Sequence, residues 1–541
     1  MEKVYKNLGM NPVLSFFVIA PVLIAVFLYV TSTNRTARIF AIMVNFVKFI
    51  ASIWLLYVTR SEEIITIIGN YTDGVGITLR ANTLSADFVF ITAFIFLAVS
   101  IYSFYDKRDM PLFWFLMFIA EATMIGLFLS GDLFNIFVLV EVSTVVTLVL
   151  VMYSRARRCG FSGMVFLMAN VVAAQFYLLG LGYVYMMTGT LDMNAVTEIL
   201  VNIPTRDLVL PYALIMTSIA FKCTLIPFFS WSPKVRVYLG APSVVQAILS
   251  GLQIKSAVYL LLRFQEVFEP VATTELFLIL GIIAGLFGAF MAICQTDIKM
   301  ILAYHTISQV GLIIVGVSSG NFYSEIGGLY HIFSHAVFKT ALFLCSGIII
   351  HAYQTSDVYK IRGVFKRMPI VGVATLMAVL GIMGAPLFIG SISKYFISYD
   401  IPFVLNAFTV LISLGTIISF IKFSMMFFGK SPETNPDDIL PDNARIFSSF
   451  VLGGVCLVGG ILGTQLINFL FMHNVSINLL GYLQKSIIFF VSFGFGFLIN
   501  KYFVVGNKRL KRIGAMSLSF KSICAAIGVF FAVIIVWAGI L

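Results

Sequence analysis

With 541 residues, 60% hydrophobic side chains, only 11% charged ones and a mean hydropathy of +1.02, the chain has far too little polar surface to cover a soluble globule. It reads as an all-α polytopic membrane protein. The net charge of +11 calls for no nucleic acid, because basic loops facing anionic lipid account for it. The six cysteines are scattered singly without a CxxC pair, so no metal or other cofactor is expected and the chain itself carries no electrons.

Apolar runs of about 18 to 25 residues, the length a bilayer requires, recur near residues 12–31, 39–59, 84–105, 111–130, 133–153, 162–188, 208–231, 241–262, 274–294, 300–318, 325–351, 369–389, 402–428, 446–472, 486–505 and 522–541. That predicts about sixteen transmembrane helices. The first run, Val13 to Val30, lacks a small-residue cleavage site and continues into a polytopic pattern, so it is expected to be a span and not a leader. Four segments follow: residues 1–110 with three helices, 111–263 and 274–429 with five each, and 446–541 with the additional C-terminal helices. If the N-terminus lies outside the cytoplasm, basic residues are about threefold more frequent in cytoplasmic loops than opposite them. This expectation places the chain in a cell membrane with both termini on the non-cytoplasmic side.

Ionisable residues inside the spans are the exceptions that carry information, since a lysine at bilayer depth costs about 3 kcal/mol on insertion scales. Lys48 in the second span is expected to pair locally or to sit at a subunit contact. Glu141 lies mid-span in NIFVLVEVSTVV, where a carboxylate needs a cation or a proton. Its expected partner is Lys222, which precedes a helix break at Pro227 and Pro233, and Glu121 is read as a second acid near the same site. Asp132, by contrast, is close to a helix end and is expected to be a solvated loop residue. Lys255 follows in the eighth span. His305, in AYHTISQVG, is either part of a path or a boundary residue bonded to backbone. In GGLYHIFSHAVFKTALF, His331, His335 and Lys339 are spaced i, i+4, i+8 and so stack on one helical face. Imidazoles there can pass protons through either ring nitrogen, can be ordinary buried histidines, or can bind metal; the last lacks an HExxH glutamate or a nearby third ligand. Lys394 and Lys422 complete the set.

These residues form a repeat. Glu141, Lys222 and Lys255 occupy the second, fourth and fifth helices of one five-helix unit; His305, Lys394 and Lys422 occupy the same places in the next. An odd number of spans inverts the second unit relative to the first, as in many transporters. Both fourth helices, the seventh and twelfth of the chain, are broken: one at Pro227, the other at GAPLFIG before Lys394. Paired interrupted helices mark ion sites, because freed backbone groups are tolerated only around water or protein.

The runs APSVVQAILSGLQIKSAVYLLLR, DIKMILAYHTISQVG, HIFSHAVFKTALFLCSG, FKRMP and GIMGAPLFIGSISK, together with Glu141 and Lys222, resemble the antiporter-like membrane subunits shared by respiratory complex I, Mrp-type sodium/proton antiporters and membrane-bound hydrogenases. The resemblance covers residues 80 to 430. It implies a fourteen-helix core with two inverted five-helix repeats, other membrane subunits as partners, and transport of protons with sodium exchange as an open variant. It further implies Glu141 and Lys222 as the input pair, Lys255, His335 and Lys339 as the central axis, and Lys394 as the terminal site. Two places depart from the family pattern. SWSPKVRVY has Lys234 but no acid or histidine after the seventh span, and the twelfth-span break keeps one proline and loses an aromatic. A self-sufficient secondary cation transporter is the alternative reading, and a structural scaffold the third.

Overall fold

The computed structural model describes residues 13–31, 35–68, 76–105, 111–153, 157–228, 240–430, 441–515 and 520–540, with the side chains of 157–162 left aside. Pro233 and Lys234 lie outside these residues.

The helices are α1 (Val13–Val30), α2 (Arg35–Val58), α3 (Thr83–Tyr102), α4 (Pro111–Leu129), α5 (Leu133–Met152), α6 (Arg157–Thr188), the short α7 (Met193–Leu200), α8 (Thr205–Lys222), α9 (Ser243–Val267), α10 (Thr274–Cys294), α11 (Ile298–Val317) and α12 (Phe322–Tyr353). After the short α13 (Val364–Arg367) come α14 (Pro369–Met383), α15 (Ile389–Ile397), α16 (Phe403–Phe427), α17 (Asn443–Ile461), α18 (Gly463–Phe471), α19 (Leu479–Val504), α20 (Lys508–Gly514) and α21 (Phe520–Ile540). Among the described residues, 14 helices are long and apolar enough to cross a membrane, fewer than the sixteen expected. The shortfall falls on the two runs predicted to be broken. α8 carries Arg206, Asp207 and Lys222 within its 18 residues, and α14 stops at Met383 before the chain resumes as α15. The fold is not purely helical either. A two-stranded antiparallel ribbon, β1 (Ile64–Ile67) with β2 (Thr78–Ala81), pairs Ile64 with Ala81, and the Ile-Ile-Thr-Ile run supplies the β-branched residues that favour it.

Polar caps punctuate the apolar runs. Asn82, Asp132, Asp192, Asp297, Asn321, Asp442 and Asn478 each accept a backbone N–H in the first turn of the helix they precede, satisfying donors that otherwise have no partner. Asp132 is therefore a helix cap rather than a solvated loop residue, and its half-burial raises its carboxyl pKa. Two matching short bridges tie helix starts to distant turns. Leu133 N donates to Leu191 O and Met193 N to Gly131 O; Ile298 N donates to Ser356 O and Val358 N to Thr296 O.

The centre is occupied by α11 and α12, both almost wholly buried, whereas α19 is largely exposed and presents its surface outward. Small residues let the central helices approach. A Cβ on Gly311 would stand 2.4 Å from the Gly285 amide nitrogen, and one on Gly288 2.5 Å from that of Ser308, so α10 and α11 pack backbone to backbone. This contact fixes the position of His305 and Gln309 in the core.

Candidate functional site

α8 ends at Lys222. The following residues turn sharply, with Thr224 at φ 58 and a cis bond before Pro227. The Lys222 ammonium donates to Thr144 Oγ1 of α5 and Asn170 Oδ1 of α6, both at 3.3 Å. It lines two small cavities at once. One, of about 10 Å³, also holds Glu141, Tyr177 and Ser218; the other, of about 40 Å³, also holds Thr144, Asn170, Gln253 and Ser256. Glu141 and Lys222 thus face a common space without closing an ion pair, and Glu141 Oε1 is buried with no hydrogen-bond partner among the described residues. Glu121 lines neither cavity. Its carboxylate is held at 2.5 Å by Lys48 of α2, both side chains being 1% exposed, so it belongs to a separate buried pair.

α9 contains a feature with no sequence signal, a π-helical segment at Leu249–Gln253. The wider turn upsets the normal carbonyl ladder. The Ser250 carbonyl accepts from Lys255 Nζ, and Gly251 gives the turn room, since a Cβ there would lie 2.6 Å from Thr340 Oγ1. Gln253 accepts from Thr147 at 3.1 Å, facing the Lys222 cavity.

From Lys255 the hydrogen bonds continue inward. Ser250 Oγ meets Thr306 Oγ1 at 2.7 Å; Thr306 donates to Leu302 O at 3.1 Å; Lys339 Nζ donates to the same carbonyl at 2.5 Å. Lys255 and Lys339 therefore share one bonded cluster. His335, one turn before Lys339 on the unbroken α12, is fully buried, and neither ring nitrogen meets a partner among the described residues. Its ring centroid is 6.5 Å from that of His331. His331 is satisfied on both sides: Nε2 pairs with Gln309 Oε1 at 3.0 Å and Nδ1 with Ser393 Oγ at 2.8 Å. Ser393 precedes Lys394, whose ammonium donates to Ile382 O and Met383 O at 3.0 Å each. Those carbonyls end α14, where a cation is favoured by the helix dipole. Gly384, at φ +79, closes that helix in the left-handed conformation that glycine tolerates best.

His305 is not a boundary residue. It is fully buried mid-helix, with Nε2 2.5 Å from Ser419 Oγ and its ring against Phe420. Lys422 donates to the carbonyls of Ala292, Ile293 and Gln295 and so caps the end of α10. Thr144, Asn170, Ser250, Thr306, Gln309 and Ser393 escaped the reading from sequence, since hydroxyls are common in spans. The two amides among them, Asn170 and Gln309, the latter one turn after His305, carried a usable signal.

Broken helices that end on amines, joined through a buried polar line at the centre of an apolar bundle, define a polytopic membrane protein built around an internal hydrophilic axis. The chain belongs to the NADH:quinone oxidoreductase/Mrp antiporter transmembrane family, whose model matches residues 130–421. A quinone oxidoreductase relative from Desulforudis audaxviator, the NADH-quinone oxidoreductase subunit N, is 32% identical over 335 residues, 60% of this chain and 66% of that protein, just short of two-thirds of its length. A Na(+)/H(+) antiporter subunit from Alkalihalophilus pseudofirmus is 28% identical over 443 residues, 79% and 88% of the two chains. A chain of the Mrp complex from Dietzia sp. DQ12-45-1b shares the fold, with TM-score 0.78 at 22% identity over 88% of this chain and 99% of that one.

Proposed function

We propose that the chain is a proton-translocating subunit of a multisubunit membrane complex, with sodium exchange as a variant, in keeping with relatives named as antiporter and quinone oxidoreductase subunits. One observation carries the reading: buried amines, imidazoles and hydroxyls follow one another from the Lys222 cavities to Lys394 through a core that is otherwise apolar. So many costly polar groups in one file argue for a conducted charge. In this reading Glu141 and Lys222 form the input pair, open in the state described. Lys255, Lys339, His335 and His331 relay the proton, and Lys394 is the terminal site. His305, bonded to Ser419, adjoins the relay by lying one turn before Gln309, which bonds His331.

The two five-helix units, 111–263 and 274–429, act as inverted counterparts. The bridges around Asp132 and Asp192 and those around Asp297 and Asp357 support this, because they recur at the same offset and in the same pattern. In this reading the chain sits in a cell membrane with both termini on the non-cytoplasmic side, which the bias of basic residues towards one set of loops supports. In vesicles containing the assembled complex, Lys222→Met and Glu141→Gln each abolish ion transport while assembly persists; normal transport in both variants refutes the assignment.

A further inference from the structure

We propose that α19, outside the family-matched segment, supplies the outer gate of Lys394, with Tyr482 and Lys485 lining the route by which Lys394 exchanges protons with water. This rests on the reading of Lys394 as a proton site and extends it to a helix that carries no motif.

A cavity of about 80 Å³ lies beside Lys394, bounded by α14, α15, α16 and α19. A buried water needs on the order of 10–15 Å³ by the same measure and two to four polar partners, so a short file of waters fits. Ser391, Ser398, Thr409, Ser413, Ser486 and Ser492 line it, an unusual density of hydroxyls at a helix contact within an apolar chain. The titratable groups facing it are Lys394 and Tyr395 of α15 and Tyr482 and Lys485 of α19; α14 and α16 present none among the described residues.

α19 is fastened to the break itself. The Leu387 amide, in the turn between α14 and α15, donates to Tyr482 Oη at 3.0 Å, and that hydroxyl also pairs with Ser391 Oγ at 2.9 Å. Leu387 has φ +69, so the turn is strained and held by this contact. Lys485 donates to Ser398 O at 3.3 Å, at the end of α15, and to Asn406 Oδ1 of α16 at 3.2 Å. Its positive charge therefore stands in the cavity that Lys394 lines. That charge opposes a second cation on Lys394 and favours release, while the Tyr482–Ser391 pair offers a hydroxyl path. α19 also packs on α16.

The test uses the full complex in inside-out vesicles, with transport read by a pH-sensitive dye over a range of pH. Lys485→Gln is expected to move the midpoint of the transport–pH profile upward, since a like charge is removed from the cavity that Lys394 lines. Lys485→Arg restores the original midpoint. Tyr482→Phe, which keeps the ring, is expected to slow transport severalfold with unchanged assembly. An unshifted midpoint in Lys485→Gln, with Lys394→Met inactive, overturns the role of α19 alone; full transport in Lys394→Met overturns both it and the function on which it rests.

Discussion

The Lys48–Glu121 pair gives the sharpest separation between a buried charge that carries transport and one that holds helices together. The ammonium lies 2.5 Å from the carboxylate, both side chains are 1% exposed, and the Phe118 ring stands 4.8 Å from Nζ. Burial on this scale means that removing one partner strands the other, at a cost of about 3–5 kcal/mol, whereas replacing both with apolar residues of similar volume is about neutral or stabilising. Glu121→Leu and Lys48→Met are each expected to destabilise the protein by that amount. The double variant Lys48→Met/Glu121→Leu is expected to recover to within about 1 kcal/mol of the parent, a coupling of several kcal/mol for residues in direct contact. Reversible unfolding in mixed micelles measures the cycle, and vesicle transport is read on the same four proteins. The double variant keeps transporting, because neither residue lines the cavities around Lys222. Additive single effects would refute the structural account of the pair. Loss of transport in a stable double variant would return Glu121 to the proton path.

Two further substitutions probe the line itself. Gln309→Leu leaves His331 Nε2 without its acceptor, a buried loss of about 1–3 kcal/mol, and is expected to slow transport more than Gln309→Glu, which keeps an acceptor oxygen there; equal rates in the two would remove Gln309 from the path. Lys422→Met deprives three carbonyls at the end of α10 of their ammonium, and charge-assisted hydrogen bonds of this kind are worth about 1.5–3 kcal/mol, so lowered stability with undiminished transport per folded molecule is expected from vesicles normalised for intact protein. Abolished transport at normal stability would instead make Lys422 a proton carrier.

Expensive residues were legible in the sequence and inexpensive ones were not. Lysines at bilayer depth stand out because hydrocarbon penalises them, and the breaks near Lys222 and Lys394 stand out because proline and glycine interrupt apolar runs. The spacing of His331, His335 and Lys339 survives because α12 is an unbroken 32-residue helix. The partners stayed hidden. Nothing local to Glu121 distinguishes it from Glu141; only the packing of α2 on its neighbours assigns it to Lys48. The π-helical turn before Lys255 has no proline and a single glycine, and it exists because α9 and α12 meet at Gly251 and Thr340. Lys485 reads as a loop residue by its position at the margin of an apolar run, yet α19 begins at Leu479 and carries it into the cavity beside Lys394.

The arrangement also says where control must lie if the polar line conducts. Lys255 bonds the Ser250 carbonyl, the Ser250 hydroxyl bonds Thr306, and Thr306 and Lys339 both donate to the Leu302 carbonyl, so the two amines sit in one polar cluster; His331 is joined to Gln309 and Ser393, adjacent to Lys394. Between these two halves stands His335, with both ring nitrogens unbonded among the described residues. A fully wired line would let charge run down the membrane potential, which releases about 2.3 kcal/mol per charge at 100 mV. A break at one titratable residue prevents that leak, and closing it by a ring rotation or a bridging water requires only local movement within the rigid α12. The open Glu141–Lys222 pair at the other end of the line is the complementary half of the same device. In the proposed path, closing that pair draws the ammonium away from Thr144 and Asn170. Drive and gate then act on neighbouring segments of that proposed path.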